Sequence, residues 1–328
     1  MQNVKVLAII GPTASGKTDI SFLLANLIKE KLNLTPEIIS ADSRQVYKGL
    51  KISSSQPTEK YLTIFKHYFI NTLEPESEFN SGQFGSDARN IIGNIIKENK
   101  IPIIVGGSGL YLRSLIFGLF DVNDINDDES VKIGQKKIRK LLNGRLEKEG
   151  IEPLYNELKK IDEESASKMT ISNTRRIIRA LEIYYMTGIP ISTHYKKKIN
   201  VGFSAVQFGI LWERKKLYKR INKRVDLMLE NGLVDEISSL KEKVYDYSIQ
   251  NSLNTVGVKE VFDYLNGKIG YTQMVELIKQ NTRRFAKRQM TWFRKDKNII
   301  WMHVEDEKDF SPIALEIFTS FFEKTNYS

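Results

Sequence analysis

Cysteine is absent from the 328 residues. Its absence excludes disulfides, thiolate metal sites and a cysteine nucleophile, and it suits the cytoplasmic setting expected for the chain. No apolar run approaches the length of a membrane-spanning helix, so no membrane association is expected. The short apolar run near the N-terminus passes straight into a glycine-rich loop without a small-residue cleavage site, and it reads as a core strand. Histidine is scarce: His67, His194 and His303 lie far apart without metal-ligand spacing, so structural or surface roles are expected of them. Internal repeats and low-complexity segments are missing. A guanine-reading N-K-x-D is missing as well, since Asn222-Lys223-Arg224 is followed by Val225.

What is present begins with Gly11-Pro12-Thr13-Ala14-Ser15-Gly16-Lys17-Thr18, which fits the phosphate-loop pattern G-x-x-x-x-G-K-[ST]. The β-branched run Lys5 to Ile10 precedes it as a buried strand should, and Ile20 to Leu32 follows with helical periodicity. In that context backbone N–H groups converge on phosphate oxygens, Lys17 supplies charge and Thr18 can ligate Mg²⁺. The loop predicts a site for a diphosphate or triphosphate. It does not name the reaction, because kinases, nucleotide hydrolases and other transferases use the same loop.

The net charge of +10 is unevenly spread. Met1 to Phe120 holds 13 basic and 10 acidic residues, a net of +3, whereas Ile171 to Ile300 holds 25 and 12, a net of +13. A basic half joined to a phosphate-loop half suggests a polyanionic partner, with RNA the first candidate. A solvated basic surface without a specific partner is the alternative.

Along the chain, Pro36 to Ser40 reads as a second strand that delivers Ala41-Asp42-Ser43-Arg44-Gln45-Val46-Tyr47 at its C-terminal end, where ligand loops of open α/β sheets lie. Asp42 is compatible with a catalytic base, a magnesium-shell carboxylate or a helix N-cap. His67 to Asn71 and Ile101 to Val105 are further strands with a helix, Phe84 to Glu98, between them. This alternation predicts a doubly wound parallel sheet. Gly106-Gly107-Ser108-Gly109-Leu110-Tyr111 then forms a tight turn or a close approach to ligand. The acidic stretch Asp121 to Glu129 reads as a solvated linker at a domain boundary, and Val131 to Tyr195 as mainly helical. Within it Arg175, Arg176 and Arg179 can share one helix face. Ala205 to Leu211 returns as a strand. A helix follows over Arg214 to Leu229, with an apolar stripe of Leu217, Ile221, Val225 and Met228 beside a basic ridge of Lys216, Lys219, Arg220, Lys223 and Arg224. A second basic helix, Tyr271 to Arg294, carries Arg283, Arg284, Lys287 and Arg288 interleaved with Phe285, Trp292 and Phe293, aromatics expected in the core. Asn298 to Val304 reads as a last strand.

Taken in order, GPTASGKT, ADSRQVY, GGSGLYLR, RRIIRALE, RINKRVDLMLENGLVDE and TRRFAKRQMTWFR resemble the tRNA dimethylallyltransferase, or isopentenyltransferase, family from Gly11 to Trp301. The resemblance implies an α/β fold with a P-loop NTPase-like parallel core over 1–120 and 201–328, interrupted by a helical insertion domain over 121–200 that contacts tRNA. It implies transfer of a dimethylallyl group from dimethylallyl diphosphate to N6 of the adenosine 3′ of the tRNA anticodon, with Mg²⁺ as cofactor and a monomeric enzyme. The phosphate loop, Gly11 to Thr18, would hold an isoprenoid diphosphate where related folds bind ATP. By position, Asp42 carries over as the base, Ser108 as a hydroxyl near the reacting centre where threonine is usual, and Arg220 as a diphosphate contact. Ser43, Arg44 and Gln45, with Asn173, Thr174, Arg175, Arg176 and Ile177, fall where the family contacts tRNA, as do Asp42 and Ser108. Lys132 is the nearest counterpart of a basic residue downstream of the glycine cluster. Val258 stands where tyrosine is frequent, and no zinc-finger extension accompanies the core. A P-loop nucleotide or nucleoside kinase would explain the N-terminal half alone, and a nucleotide-gated RNA-binding switch would explain loop and charge without transfer chemistry.

Overall fold

A computed structural model describes residues 4–118, 129–196, 201–242, 250 and 252–323. The chain divides into two compact units, residues 1–116 with 201–328 and residues 117–200.

In the first unit β1 (Val4–Ile10) leads through the glycine loop into α1 (Lys17–Leu32), then β2 (Pro36–Ala41), α2 (Glu59–Ile64), β3 (His67–Tyr68), α3 (Ser81–Lys97), β4 (Ile101–Gly106) and α4 (Gly109–Phe117). The second unit is built of α5 (Glu129–Glu149), α6 (Ile151–Ile161), α7 (Glu163–Ser167), α8 (Thr174–Thr187) and α9 (Ile191–Lys196). The chain then completes the first unit with β5 (Phe203–Trp212), α10 (Arg214–Glu230), α11 (Leu233–Lys241), α12 (Val258–Leu265), α13 (Tyr271–Phe293), β6 (Ile300–Val304) and α14 (Phe310–Phe318).

The six strands form one sheet in the order β3-β2-β4-β1-β5-β6, every pair parallel. Both faces are covered, which is why these strands read as continuous apolar runs. Val6, Ala8 and Ile10 point into a core shared with α3, α12 and α13, while Leu7 and Ile9 point into another shared with α1 and α14. Parallel strands with alternate residues buried on opposite sides place all their C-terminal ends along one edge. There the glycine loop, the turn after β2 and the turn after β4 meet.

β3 is shorter than its composition suggests. Phe69 has φ +61° and Asn71 φ +53°, so the backbone leaves the extended region directly after Tyr68. The acidic stretch read as a linker lies outside the described residues from Asp121 to Asp128.

The helical unit has its own core of Leu142, Leu154, Leu158, Ile177, Leu181 and neighbours. Helix α8 ends where Gly188 takes φ +67°, a left-handed cap that only glycine adopts without strain. The three arginines of α8 do not share a solvent face. Arg179 turns onto the buried carboxylate of Glu182, which also takes Arg139 and Gln135 at 2.6–3.1 Å, while Arg175 and Arg176 stay exposed. A fully buried carboxylate demands such partners. Glu182→Ala is expected to lower the stability of this unit by about 1–3 kcal/mol, because charge-assisted bonds are lost while both arginines still reach water. A denaturant titration reads it, and an unchanged midpoint would make the cluster energetically silent.

Candidate active site

The glycine loop is held from below by residues remote in sequence. Ala14 sits at φ +61°, a left-handed conformation costing roughly 1–2 kcal/mol in a residue with a Cβ. Its carbonyl accepts Arg220 Nε at 3.0 Å, and the next carbonyl, of Ser15, accepts Trp212 Nε1 at 3.0 Å. Arg220 in turn stacks over Trp212, 4.5 Å from its ring centre, and pairs with Glu307. A Cβ on Gly16, which has φ +88°, would collide with the Phe310 ring at 2.2 Å. Strand β5 and helices α10 and α14 therefore shape the loop, and Arg220 braces its backbone.

Above the loop is a cavity of about 300 Å³ lined by Thr13, Lys17, Thr18, Asp42, Ser43 and Arg44, by Arg224, Thr282, Arg288 and Gln289, and by the apolar side chains of Ile221, Val225, Met228, Ile278 and Phe285. Its polar end is cationic and its apolar wall belongs to α10 and α13. Lys17 Nζ donates to the Pro12 carbonyl at 2.7 Å. Burial pushes the Lys17 ammonium down to about 8; Asp42 opposes this and Arg224 adds to it. Burial likewise lowers Arg224 and Arg44, with Asp42 opposing in both. Three cations around one carboxylate, all short of water, make a site that an anionic ligand relieves.

This has a pH consequence with a definite sign. A lysine lowered from 10.5 to about 8 makes the ligand-free protein gain stability as pH rises between those values, because there the unfolded chain holds the proton and the folded site does not. An anion in the cavity restores the charge. Through Lys17, diphosphate binding is therefore expected to be independent of pH well below pH 8, where the ammonium is already charged, and above it to take up a proton and weaken by up to about tenfold per pH unit. Calorimetry in buffers of different ionisation heat measures that uptake; equal uptake by Lys17→Arg would assign the proton elsewhere.

Asp42 directly follows β2 but begins no helix. Its Oδ1 accepts the Arg44 amide at 2.9 Å, closing a turn over residues 43–46, so the helix-cap expectation gives way to an Asx turn. Ser108, in the turn after β4, accepts the Ser43 amide on Oγ at 3.1 Å and lies 3.4 Å from the Ser43 hydroxyl. It thus fixes the turn that presents Asp42. Gln45 lines the same cavity and braces the turn: its side-chain Oε1 accepts the Ser40 hydroxyl at 2.8 Å and its Nε2 donates to the Ser55 carbonyl at 2.9 Å.

Other site residues are placed as follows. Asn173 accepts the Thr170 amide at 3.2 Å ahead of α8, Thr174 begins that helix, and Arg175 and Arg176 are exposed on its first turn. Ile177 is fully buried in the core of the helical unit, so a tRNA contact by its side chain is excluded and it anchors the two arginines instead. The side chain of Lys132 lies outside the described residues. The basic ridge expected on α10 is split: Arg220 and Arg224 turn inward to the loop and cavity while Lys219 and Lys223 stay in solvent. Of the three α13 aromatics expected in the core only Phe293 is there; Phe285 and Trp292 are 36% and 37% exposed.

The donor set bears on magnesium. Among the described residues no three carboxylates or histidines cluster as ligands; Mg²⁺ beside phosphates takes one or two protein oxygens. Thr18 and Asp42 both line the cavity and offer such oxygens. Ser15 Oγ, buried under the loop without a partner, is one further hydroxyl there.

A profile of the IPP transferase family matches residues 45–296. The chain belongs to that family. It is 43% identical over 306 residues to a tRNA dimethylallyltransferase of Acetivibrio thermocellus, covering 93% of both chains, and 40% identical over 312 residues to that of Natranaerobius thermophilus, covering 95% of this chain and 90% of the other. Among solved structures, a tRNA isopentenylpyrophosphate transferase of Bacillus halodurans superposes with a TM-score of 0.67 at 35% identity over 98% of both chains. A eukaryotic dimethylallyltransferase acting on tRNA superposes with 0.82 at 29% identity, over 99% of this chain and 80% of that one. The family's parallel P-loop-like core is thus the one described above, and among the described residues no helix is long and apolar enough to cross a membrane.

Proposed function

We propose that this IPP transferase moves a dimethylallyl group from dimethylallyl diphosphate to N6 of the adenosine 3′ of a tRNA anticodon. The observation that carries the reading is the shared cavity: phosphate loop, Asp42 turn and apolar wall face one space. The diphosphate lies on the loop amides and Lys17, with Arg224 beside it, and the five-carbon tail lies against Val225, Met228 and Ile278. Thr18 would hold Mg²⁺ together with the phosphates, and the ion would supply charge neutralisation on the leaving group. As the allylic carbon–oxygen bond breaks, its electron pair leaves with diphosphate, where Lys17 and Arg224 meet the developing charge. The N6 lone pair forms the new carbon–nitrogen bond, and the N6 proton passes to Asp42. Ser108 keeps the Asp42 turn in place, and the base reaches it by leaving its stack.

Ser43, Arg44, Asn173, Thr174, Arg175 and Arg176 serve as RNA contacts in this reading. So does the outer face of α13, where Arg284, Lys287 and Arg288 are exposed; Arg283 is already bonded to Asn222 Oδ1 at 2.6 Å. Neutralising these three exposed residues is expected to reduce the slope of log affinity against log salt by about three units. An unaltered slope would make that face structural only. The whole reading is tested by mass: an anticodon stem-loop incubated with protein, Mg²⁺ and dimethylallyl diphosphate gains one prenyl group. An unchanged RNA mass together with phosphate release from ATP or GTP would replace the reading with a kinase or a switch.

A further inference from the structure

Helix α13 also reaches into the cavity. Gln289 is 7% exposed, although Lys287 and Arg288 beside it stand in solvent. Its Oε1 accepts the Thr13 amide at 2.9 Å and its Nε2 donates to the Gly107 carbonyl at 2.9 Å. One side chain thus joins the phosphate loop to the turn after β4. An amide N–H can only donate and a carbonyl only accept, so the two bonds fix which way the Gln289 amide faces. A Cβ on Gly107 would come within 2.6 Å of Nε2 and 3.0 Å of the Gly11 carbonyl, so glycine there is what lets the clamp close. Ser108 follows Gly107 directly and holds the Asp42 turn through Ser43. The chain of contacts runs from donor loop to Gln289, to Gly107–Ser108, to Ser43 and Asp42.

We propose that Gln289 is a positioning residue for the transfer: it sets the separation between the loop that holds the donor diphosphate and the turn that presents the acceptor's base. This rests on the transfer reading above. Binding of either substrate needs only one side of the clamp, whereas reaction needs both sides in register, and misplacement by about 1 Å costs on the order of a hundredfold in rate. Gln289→Met keeps the volume and removes both bonds. It is expected to lower single-turnover prenylation at saturating donor and stem-loop by about 10- to 100-fold, with the dissociation constant of each substrate changed less than about threefold. Gly107→Ala breaks the same clamp from the other side, so it is expected to show the same split, and the double variant to be no slower than the worse single one. Gly107→Ala also carries the test should Gln289→Met not fold. A wild-type rate at saturation in a folded variant overturns the proposal. So does a loss confined to substrate affinity, which would make Gln289 a ligand contact, or fully additive effects in the double variant. Wild-type protein that fails to prenylate RNA would instead sink the transfer reading itself.

Discussion

Asp42→Asn is expected to fold normally, bind both substrates and lose prenyl transfer. The Asx turn explains why the substitution is a clean probe. Asparagine offers the Arg44 amide the same acceptor that Asp42 Oδ1 offers at 2.9 Å, so the turn and its link to Ser108 persist. The turn itself is expected to survive, since Asn and Asp both close Asx turns, and the melting curve reads what loss of the carboxylate beside Lys17, Arg44 and Arg224 costs. What asparagine cannot do is accept the N6 proton, and loss of a general base typically costs about 10²- to 10⁴-fold. Single-turnover prenylation of an anticodon stem-loop at saturating substrates, read beside a melting curve, gives the answer. Near-normal turnover would reduce Asp42 to a turn residue and send the search for a base elsewhere.

Lys17→Ala is expected to act on the other substrate. The ammonium belongs to the loop itself and donates to the Pro12 carbonyl, and burial has already weakened its hold on its proton. A charge-assisted bond of this kind contributes about 1.5–3 kcal/mol, so the donor dissociation constant is expected to rise about 10- to 100-fold, with transfer slowed further because diphosphate gains charge as it leaves. RNA affinity should change little. If donor affinity and transfer were both unaltered, the loop would have no part in the mechanism.

The site was legible in the sequence where local rules carry it. Strand, glycine loop and helix fix Lys17 and Thr18 by spacing, and the strand before Ala41 places Asp42 on the right edge of the sheet. It was illegible where the deciding contact is long-range. Arg224 reads as one more member of a basic ridge, because periodicity separates apolar from polar faces but not a lysine in water from an arginine over a cavity. Gln289 lies among five basic residues of α13 and is bonded to residues 276 and 182 positions away. Ile177 was misread for the opposite reason: it adjoins exposed arginines, yet helical geometry turns it into the core. Phe69 ends β3 through backbone conformation that its β-forming side chain conceals.

The sheet order bears on how the chain is made. β1 lies between β4 and β5, and β5 is synthesised only after the whole helical insertion. A nascent chain that has emerged as far as residue 200 therefore carries its central strand with one apolar edge unpaired, the kind of edge that invites pairing with other chains. The braces of the phosphate loop come later still: Trp212, Arg220 and Phe310. The braced form of the loop is thus acquired near the end of translation, and a chain cut short before α14 lacks the ring that underlies Gly16 even though it contains every residue of the loop.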